Sequence, residues 1–460
     1  MKTGTKIGIG LAILLVVGLG VFVLMRSFGG DDLDPEVAQL LAKSPPQIAA
    51  ADNAYFAWIG VVGPESETAH SWGRRWFEQA LAADRQGPAD DQAKPALAIE
   101  GEERGESFAA DALFCDKPAS CLDDVAADPA AARALLARAA TTLGRIDGAF
   151  AFPAYQEAWR PDLNYQSGVA PQPAYARQLL ATRFALAVAE HRDDEALERL
   201  DRQISFHVRQ MQGTVTLIGK LIAIAGLRND YQLLNRYLFE RPVAAARRAE
   251  RLAGMLAPLN GDSLRMDTVF ATECRTAIRL FLSLGDEFHR SRRKGGDALP
   301  FRLPDPAAGW FGFLYQPGAT ANEQYRSCRV VLDADGKSGD DYRQALAAIR
   351  QHSDQAGEFG LADVMAGNPI GQMLVRIGTA DYAPYFLRRD DLVVLRAAVA
   401  LQLDLLRQGV GDENTIRRAI RAADLVHPFT GETPTWDGEQ HTLTYEAQPG
   451  RKDQPLVIAF

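Results

Sequence analysis

The sequence predicts a mainly α-helical protein: a single N-terminal transmembrane helix, then an irregular α-solenoid or layered helical bundle, then a short C-terminal β-hairpin or small sheet. Three observations carry this. An uncharged apolar run of 19 residues stands near the start of the 460-residue chain. The long middle is rich in Ala, Leu and Arg, has few β-branched runs, and spaces its apolar residues at helical intervals. Only beyond residue 426 do short apolar segments alternate with turn pairs, Asp437-Gly438 and Pro449-Gly450.

Ile7 to Met25 reads IGIGLAILLVVGLGVFVLM, without charge or proline. At about 1.5 Å per residue it is just long enough to cross a hydrocarbon core. The next residues, Arg26-Ser27-Phe28-Gly29-Gly30, form no small-residue cleavage site, so the segment reads as an uncleaved anchor. Lys2 and Lys6 precede it and Asp31, Asp32 and Asp34 come after it. Positive charge stays inside, which orients the N-terminus to the cytoplasm and the body to the outside. The expected organisation is a cytoplasmic 1–6, a membrane contact through 7–25, a linker 26–33, a main helical body 34–288, a surface loop or boundary 289–312, a second helical part 313–425, and a β tail 426–460.

Within the body, Asp34-Pro35 and Asp128-Pro129 each pair a capping residue with a proline at the first helical position. The first opens a brief helix to Lys43, the second the run AAARALLARAATTLGR. Residues 173–191 and those after Asp193-Asp194 form a helical hairpin around Arg192. No copy of it recurs at fixed period, so a regular repeat array is not expected. VTLIGKLIAIAGL (215–227) is too short to cross a membrane and reads as a central core helix, with a helical pattern resuming over 229–239. Further helices are expected at 242–256, 263–288, 320–332, 340–351, 369–378, 392–408 and 414–424. RSRRKGGDALPFRLPDP (290–306) reads as a surface loop. Strands are expected at 435–436, 442–445 and 456–460, the last closing a local sheet rather than adding to a partner.

Four cysteines suit an oxidising compartment. Cys115 and Cys121 close a small loop, CDKPASC, and read as a disulfide rather than a zinc site, because the spacing is wide and no histidine is near. Cys274 and Cys328 are either a second disulfide or two buried thiols.

A net charge of −9 and a pI near 5.4 argue against a nucleic-acid surface. Gly336-Lys337-Ser338 copies the end of a phosphate loop, but Val331 stands where its first glycine belongs. Asp333-Ala334-Asp335-Gly336 suggests part of a calcium loop, but Val331 and Tyr342 break the ligand set. The stretch reads as a solvated turn. No two of the seven histidines share a helix face at metal-binding spacing, and no GxSxG elbow occurs. No catalytic, cofactor-binding, nucleotide-binding or metal-ligating residue is assigned.

Ionisable residues inside apolar helix faces stand out. Lys220 lies among Leu217, Ala223, Ile224 and Leu227, and Glu273 among Met266, Val269, Phe270 and Ala277. A charge buried alone is costly, so each should have a partner, most simply the other. Arg183, flanked by Leu179, Leu180, Leu186 and Ala187, is a further candidate partner for Glu273. Tyr55, Phe56, Trp58, Trp72, Trp76 and Phe77 are expected to pack as a core between two early helices.

Four phrases together, DNAYFAWIG (52–60), LIGK (217–220), NPIG (368–371) and HPFTGETPTW (427–436), resemble a group of signal-anchored helical envelope proteins of Gram-negative bacteria. The resemblance implies a bacterial inner membrane, a single pass and a periplasmic body, and it brings no activity. The tail from His427 also looks like the closing hairpin of pilin-like secretion subunits, without the prepilin cleavage site those carry. The expected function is therefore an interaction or scaffold protein of the cell envelope with an envelope protein as partner, a toxin-neutralising immunity factor being one version. The alternative is a periplasmic hydrolase of cell-wall or lipid substrate with Glu273 as general acid.

Overall fold

The computed structural model describes residues 31–43, 48–86, 114–158, 175–294, 314–356, 368–446 and 455–460. The expected membrane segment 7–25 lies outside the described residues. No helix among the described residues is long and apolar enough to cross a membrane.

Helix starts follow capping chemistry. α1 (Pro35–Ala42) begins at a proline, and its Asp34 does not cap through the side chain as expected: the Asp34 N–H donates to Asn322 Oδ1 at 2.9 Å. α2 (Ala54–Ile59) starts at Asn53, whose side chain accepts from Tyr55 N at 3.1 Å and ties Gln156 alongside. α3 (Ala69–Gln86) crosses α2 so closely that a Cβ on Gly73 would lie 2.0 Å from the Phe56 carbonyl, which only glycine permits. The aromatic core forms here as expected: Tyr55, Phe56, Trp58, Trp72, Trp76 and Phe77 are all buried, and Phe150 and Phe206 join them.

The run after Asp128 folds as two helices, not one. Asp128 caps α5, and a buried joint at Ala139 separates α5 from α6, the preceding α4 (Cys121–Ala127) being followed by α5 (Pro129–Arg138) and α6 (Ala140–Phe150). The hairpin appears as α7 (Ala176–Ala189) and α8 (Asp193–Gly213). Its turn places His191 at φ 59°, and Arg192 N bonds back to Ala187 O at 2.8 Å, a left-handed helix end. α7 is buried on nearly every side, so its sequence carries almost no amphipathic stripe.

The patterns at 215–227 and 229–239 join into one long helix, α9 (Leu217–Glu240). The expected 242–256 helix splits into α10 (Pro242–Arg247) and α11 (Ala249–Met255), followed by the single turn α12 (Gly261–Leu264). α13 (Asp267–Lys294) runs past the expected boundary at 289, so the first residues of that boundary are helical. α14 (Pro317–Leu332) packs against α13, followed by α15 (Gly339–Ala356), α16 (Pro369–Gly378), α17 (Ala383–Arg407) and α18 (Glu413–Ala422). The chain closes with an antiparallel sheet in the order β1 (Thr435–Asp437), β2 (Thr442–Tyr445), β3 (Leu456–Ala459). Leu443 sits opposite both Trp436 and Ile458.

The largest core draws on α4, α7, α8, α9, α17 and the sheet together, so segments on either side of 289–312 share one interior. Both cysteine pairs are disulfides: Cys115–Cys121, and Cys274–Cys328, which ties α13 to α14.

Candidate functional site

Two carboxylates meet the start of α9. A helix begins with N–H groups that have no partner inside it. Thr216 satisfies one, its hydroxyl accepting from Gly219 N at 3.1 Å. Glu157 accepts from Val215 N and Thr216 N, both at 2.8 Å, and from the Thr216 hydroxyl at 2.7 Å. Glu273 accepts from Leu217 N at 2.9 Å. Burial raises both carboxyls above their ordinary range, and the Glu273 charge adds to the rise at Glu157. Glu273 is thus a cap supplied from α13, not the partner of Lys220. Nor does it pair with Arg183, whose guanidinium forks onto Asp147 at 2.7 and 2.8 Å.

Lys220 turns instead to the other ends of helices. It is 2 % exposed, and its Nζ donates to the carbonyls of Met211, near the end of α8, and of Ser263 in α12, each at 2.6 Å. Helix C-terminal carbonyls favour a cation, as the N–H groups at the start of α9 favour carboxylates. Burial pushes the Lys220 ammonium down to about 7, against the pull of Asp335 and Asp267. No carboxylate among the described residues forms an ion pair with it.

This lysine lines a cleft in two chambers at the N-terminal end of α13. The larger, about 620 Å³, opens between α1, α13 and the end of α14. The smaller, about 320 Å³, lies between the ends of α8 and α12 and the start of α13. They abut at Arg265 and Thr268, which line both. In the larger chamber stands Arg275, 5 % exposed, with no hydrogen bond or ion pair among the described residues and its Nε buried without a partner. Burial, with Arg279 nearby, lowers the Arg275 pKa from its ordinary value. Glu36 and Asp267 also line this chamber, but they pair with Arg329 at 3.3 Å and with Arg265. Among the described residues Arg275 is left without a counter-ion at the wall of an open space.

Other polar clusters are closed. The turn at 333–336 forms as expected, with Asp333 and Gly336 exposed, but Asp335 points inward: its carboxylate caps α13, accepting from Met266 N and Asp267 N at 3.0 and 3.1 Å, and pairs with half-buried Arg389 at 3.2 Å. Arg389 also holds Asp390, and Asp390 accepts from the Tyr342 hydroxyl at 2.8 Å. His207 and Asp230 pair at 2.6 Å between α8 and α9. His427 Nδ1 accepts from Phe429 N, so Nε2 carries the proton that it donates to Asp391 at 3.0 Å. Ser327 and His352 lie 2.7 Å apart beside a slot of about 10 Å³, room for about one water. Among the described residues no carboxylate orients that histidine, and no group of His, Cys, Asp and Glu is placed to hold a metal ion.

No family model, curated protein or solved structure matches the chain.

Sequence reasoning found Lys220 and missed Arg275, Thr214 and Glu157. A trace of the cleft was there to read. Thr268, Ala271, Thr272 and Arg275 fall on one face of α13 at helical spacing, and three small side chains beneath one long cation leave room.

Proposed function

We propose that this chain is a membrane-anchored interaction protein of the bacterial cell envelope whose periplasmic helical body captures an anionic group of its ligand in the α13 cleft. The observation that carries this is Arg275. A buried guanidinium without a counter-ion is unfavourable in the free protein, and a carboxylate or phosphate entering the chamber removes that penalty while forming charge-assisted hydrogen bonds. Exposed Lys43 at the rim adds positive charge to the approach. The apolar run 7–25 and the acidic residues after it support the membrane orientation.

Titration calorimetry of the full-length chain with inorganic phosphate and with acetate tests the reading. Binding is expected, and Arg275→Gln should weaken it about tenfold or more, as loss of one charged hydrogen bond implies. Arg417→Gln, whose guanidinium pairs with Glu413 away from the cleft, should leave it unchanged. Absence of binding, or equal binding by Arg275→Gln, overturns the proposal. For the orientation, alkaline phosphatase fused after Phe460 should be active in cells, and inactivity would place the body in the cytoplasm.

A further inference from the structure

The smaller chamber repeats the pattern of the larger one with different residues. Thr214 is 3 % exposed, lines this chamber, and its hydroxyl is buried without a partner. Lys220 lines it too, and two carbonyls occupy two of the three N–H groups of its ammonium, leaving one donor unused. Each chamber therefore holds a buried polar group with no partner among the described residues: Arg275 in one, Thr214 in the other. Along α13, Thr268 at the junction and Arg275 are seven residues apart, roughly 10 Å. Ala271 lies between them on the helix, and Leu40 and Leu332 also line the larger chamber.

Resting on anion capture at Arg275, we infer that the cleft recognises a dianion, two carboxylates separated by an apolar spacer of roughly 10 Å or more, one at Arg275 and the other beyond Thr268 at Thr214, Lys220 and Arg265. The first carboxylate replaces the missing counter-ion of Arg275. The second accepts from the Thr214 hydroxyl, the remaining Lys220 N–H and the Arg265 nitrogen that Asp267 leaves free. The spacer covers the apolar strip between them. Asp262 also faces the smaller chamber, and its exposed carboxylate sets a repulsive edge that disfavours a third negative charge. A free dicarboxylic acid and an extended peptide with two acidic side chains both present this chemistry.

The test is a calorimetric series on the full-length chain, with linear dicarboxylates of increasing length from succinate to sebacate, each beside its monocarboxylate. Affinity should rise with length, the longest diacids binding about tenfold tighter than their monocarboxylates. Thr214→Val, which removes only a hydroxyl, and Lys220→Met should abolish that gain and leave monocarboxylate binding intact. The length profile of the unaltered protein decides the matter even where Lys220→Met does not fold. If long diacids bind no tighter than monocarboxylates, or their gain survives Thr214→Val, the dianion inference is wrong while capture at Arg275 stands. If no anion binds, both fall. A parallel arm uses a short peptide with two glutamates flanking leucines and its glutamine counterpart. Preference for the acidic peptide over sebacate assigns the ligand to a partner chain, and the reverse preference assigns it to a free diacid; equal binding of acidic and glutamine peptides, with no diacid gain, counts against the inference.

Discussion

Lys220 on α9 and Glu273 and Arg275 on α13 each meet the cost of burial differently. Glu273 borrows a helix start and Lys220 borrows two helix-end carbonyls, while Arg275 borrows nothing. Arg275→Met should therefore stabilise the protein, by about 1 kcal/mol, since water in the cleft already screens part of the charge. Thermal unfolding beside the anion titration checks this: a higher Tm with lost binding is the expected pair, and a lower Tm means the charge has a partner in the fold. Lys220 brings a pH dependence. Below about 7 it is charged in both folded and unfolded chains, and the fold carries the whole cost of burying it. Between about 7 and its ordinary 10.5 the unfolded chain binds the extra proton, so stability rises with pH across that window. Lys220→Met should flatten the rise and, at pH 9, cost about 2 kcal/mol for the two carbonyls left without a donor. Denaturant midpoints at pH 6 and 9 read both effects; an unchanged slope would show that another group titrates. The burial of Lys220 and Glu273 was legible in the sequence because helical spacing placed apolar neighbours around them. Their partners were not, because backbone groups at helix ends leave no mark on composition and come together only in the fold.

At the level of elements, the start of α9 depends on carboxylates from outside it. Glu157 reaches it from the segment before α7, and Glu273 reaches it from α13. Glu157→Ala strands two backbone N–H groups and a hydroxyl and should cost about 3 kcal/mol, whereas Glu157→Gln keeps an acceptor oxygen and should cost less than half of that. Equal losses in chemical denaturation would mean that charge rather than hydrogen bonding holds the cap. The two disulfides constrain the chain unequally. Cys274–Cys328 spans a sequence separation of 54 and Cys115–Cys121 one of 6. Loop entropy gives them about 4 and about 2 kcal/mol. The double replacement Cys274→Ala with Cys328→Ala should thus lower the denaturation midpoint more than replacement of the first pair, and the opposite order would show that α13 and α14 are held by packing alone. Many of the helices were readable from helical periodicity, but α4 (Cys121–Ala127) was not anticipated and α17 was expected to start only at 392. Joints were less readable: Ala139 and Arg248 break helices without glycine or proline, and the two patterns flanking Arg228 fuse, because burial against neighbours rather than local propensity sets those breaks.

For the molecule as a whole, the C-terminal tail is the instructive case, since a strand at a chain end can serve a partner or the body itself. In β3, Leu456 and Ile458 are buried in the largest core while Val457 faces out, the alternation of a strand with one covered face. Asn235 of α9 donates to Ala459 O at 2.7 Å, and Phe460 rests edge-on against Trp436. Upstream, His427 bonds Asp391 of α17, and the Tyr445 hydroxyl donates to Leu425 O at 2.9 Å. The sheet is thereby fastened to α9 and α17, the helices that join the two halves of the chain. The strand pattern was visible in the sequence; its docking was not, because residues 456–460 meet helices more than 200 positions earlier as well as nearer ones. Deleting residues 455–460 exposes the face that Leu456 and Ile458 cover, at roughly 1.5–3 kcal/mol per side chain. That is a large part of the stability of an ordinary domain, about 5–15 kcal/mol. The truncated chain should unfold at distinctly lower denaturant, with α9 amides losing protection from hydrogen exchange together with those of α17. If protection falls only within β1 and β2, the tail is a peripheral flap, and its removal would then bear on partners rather than on the fold.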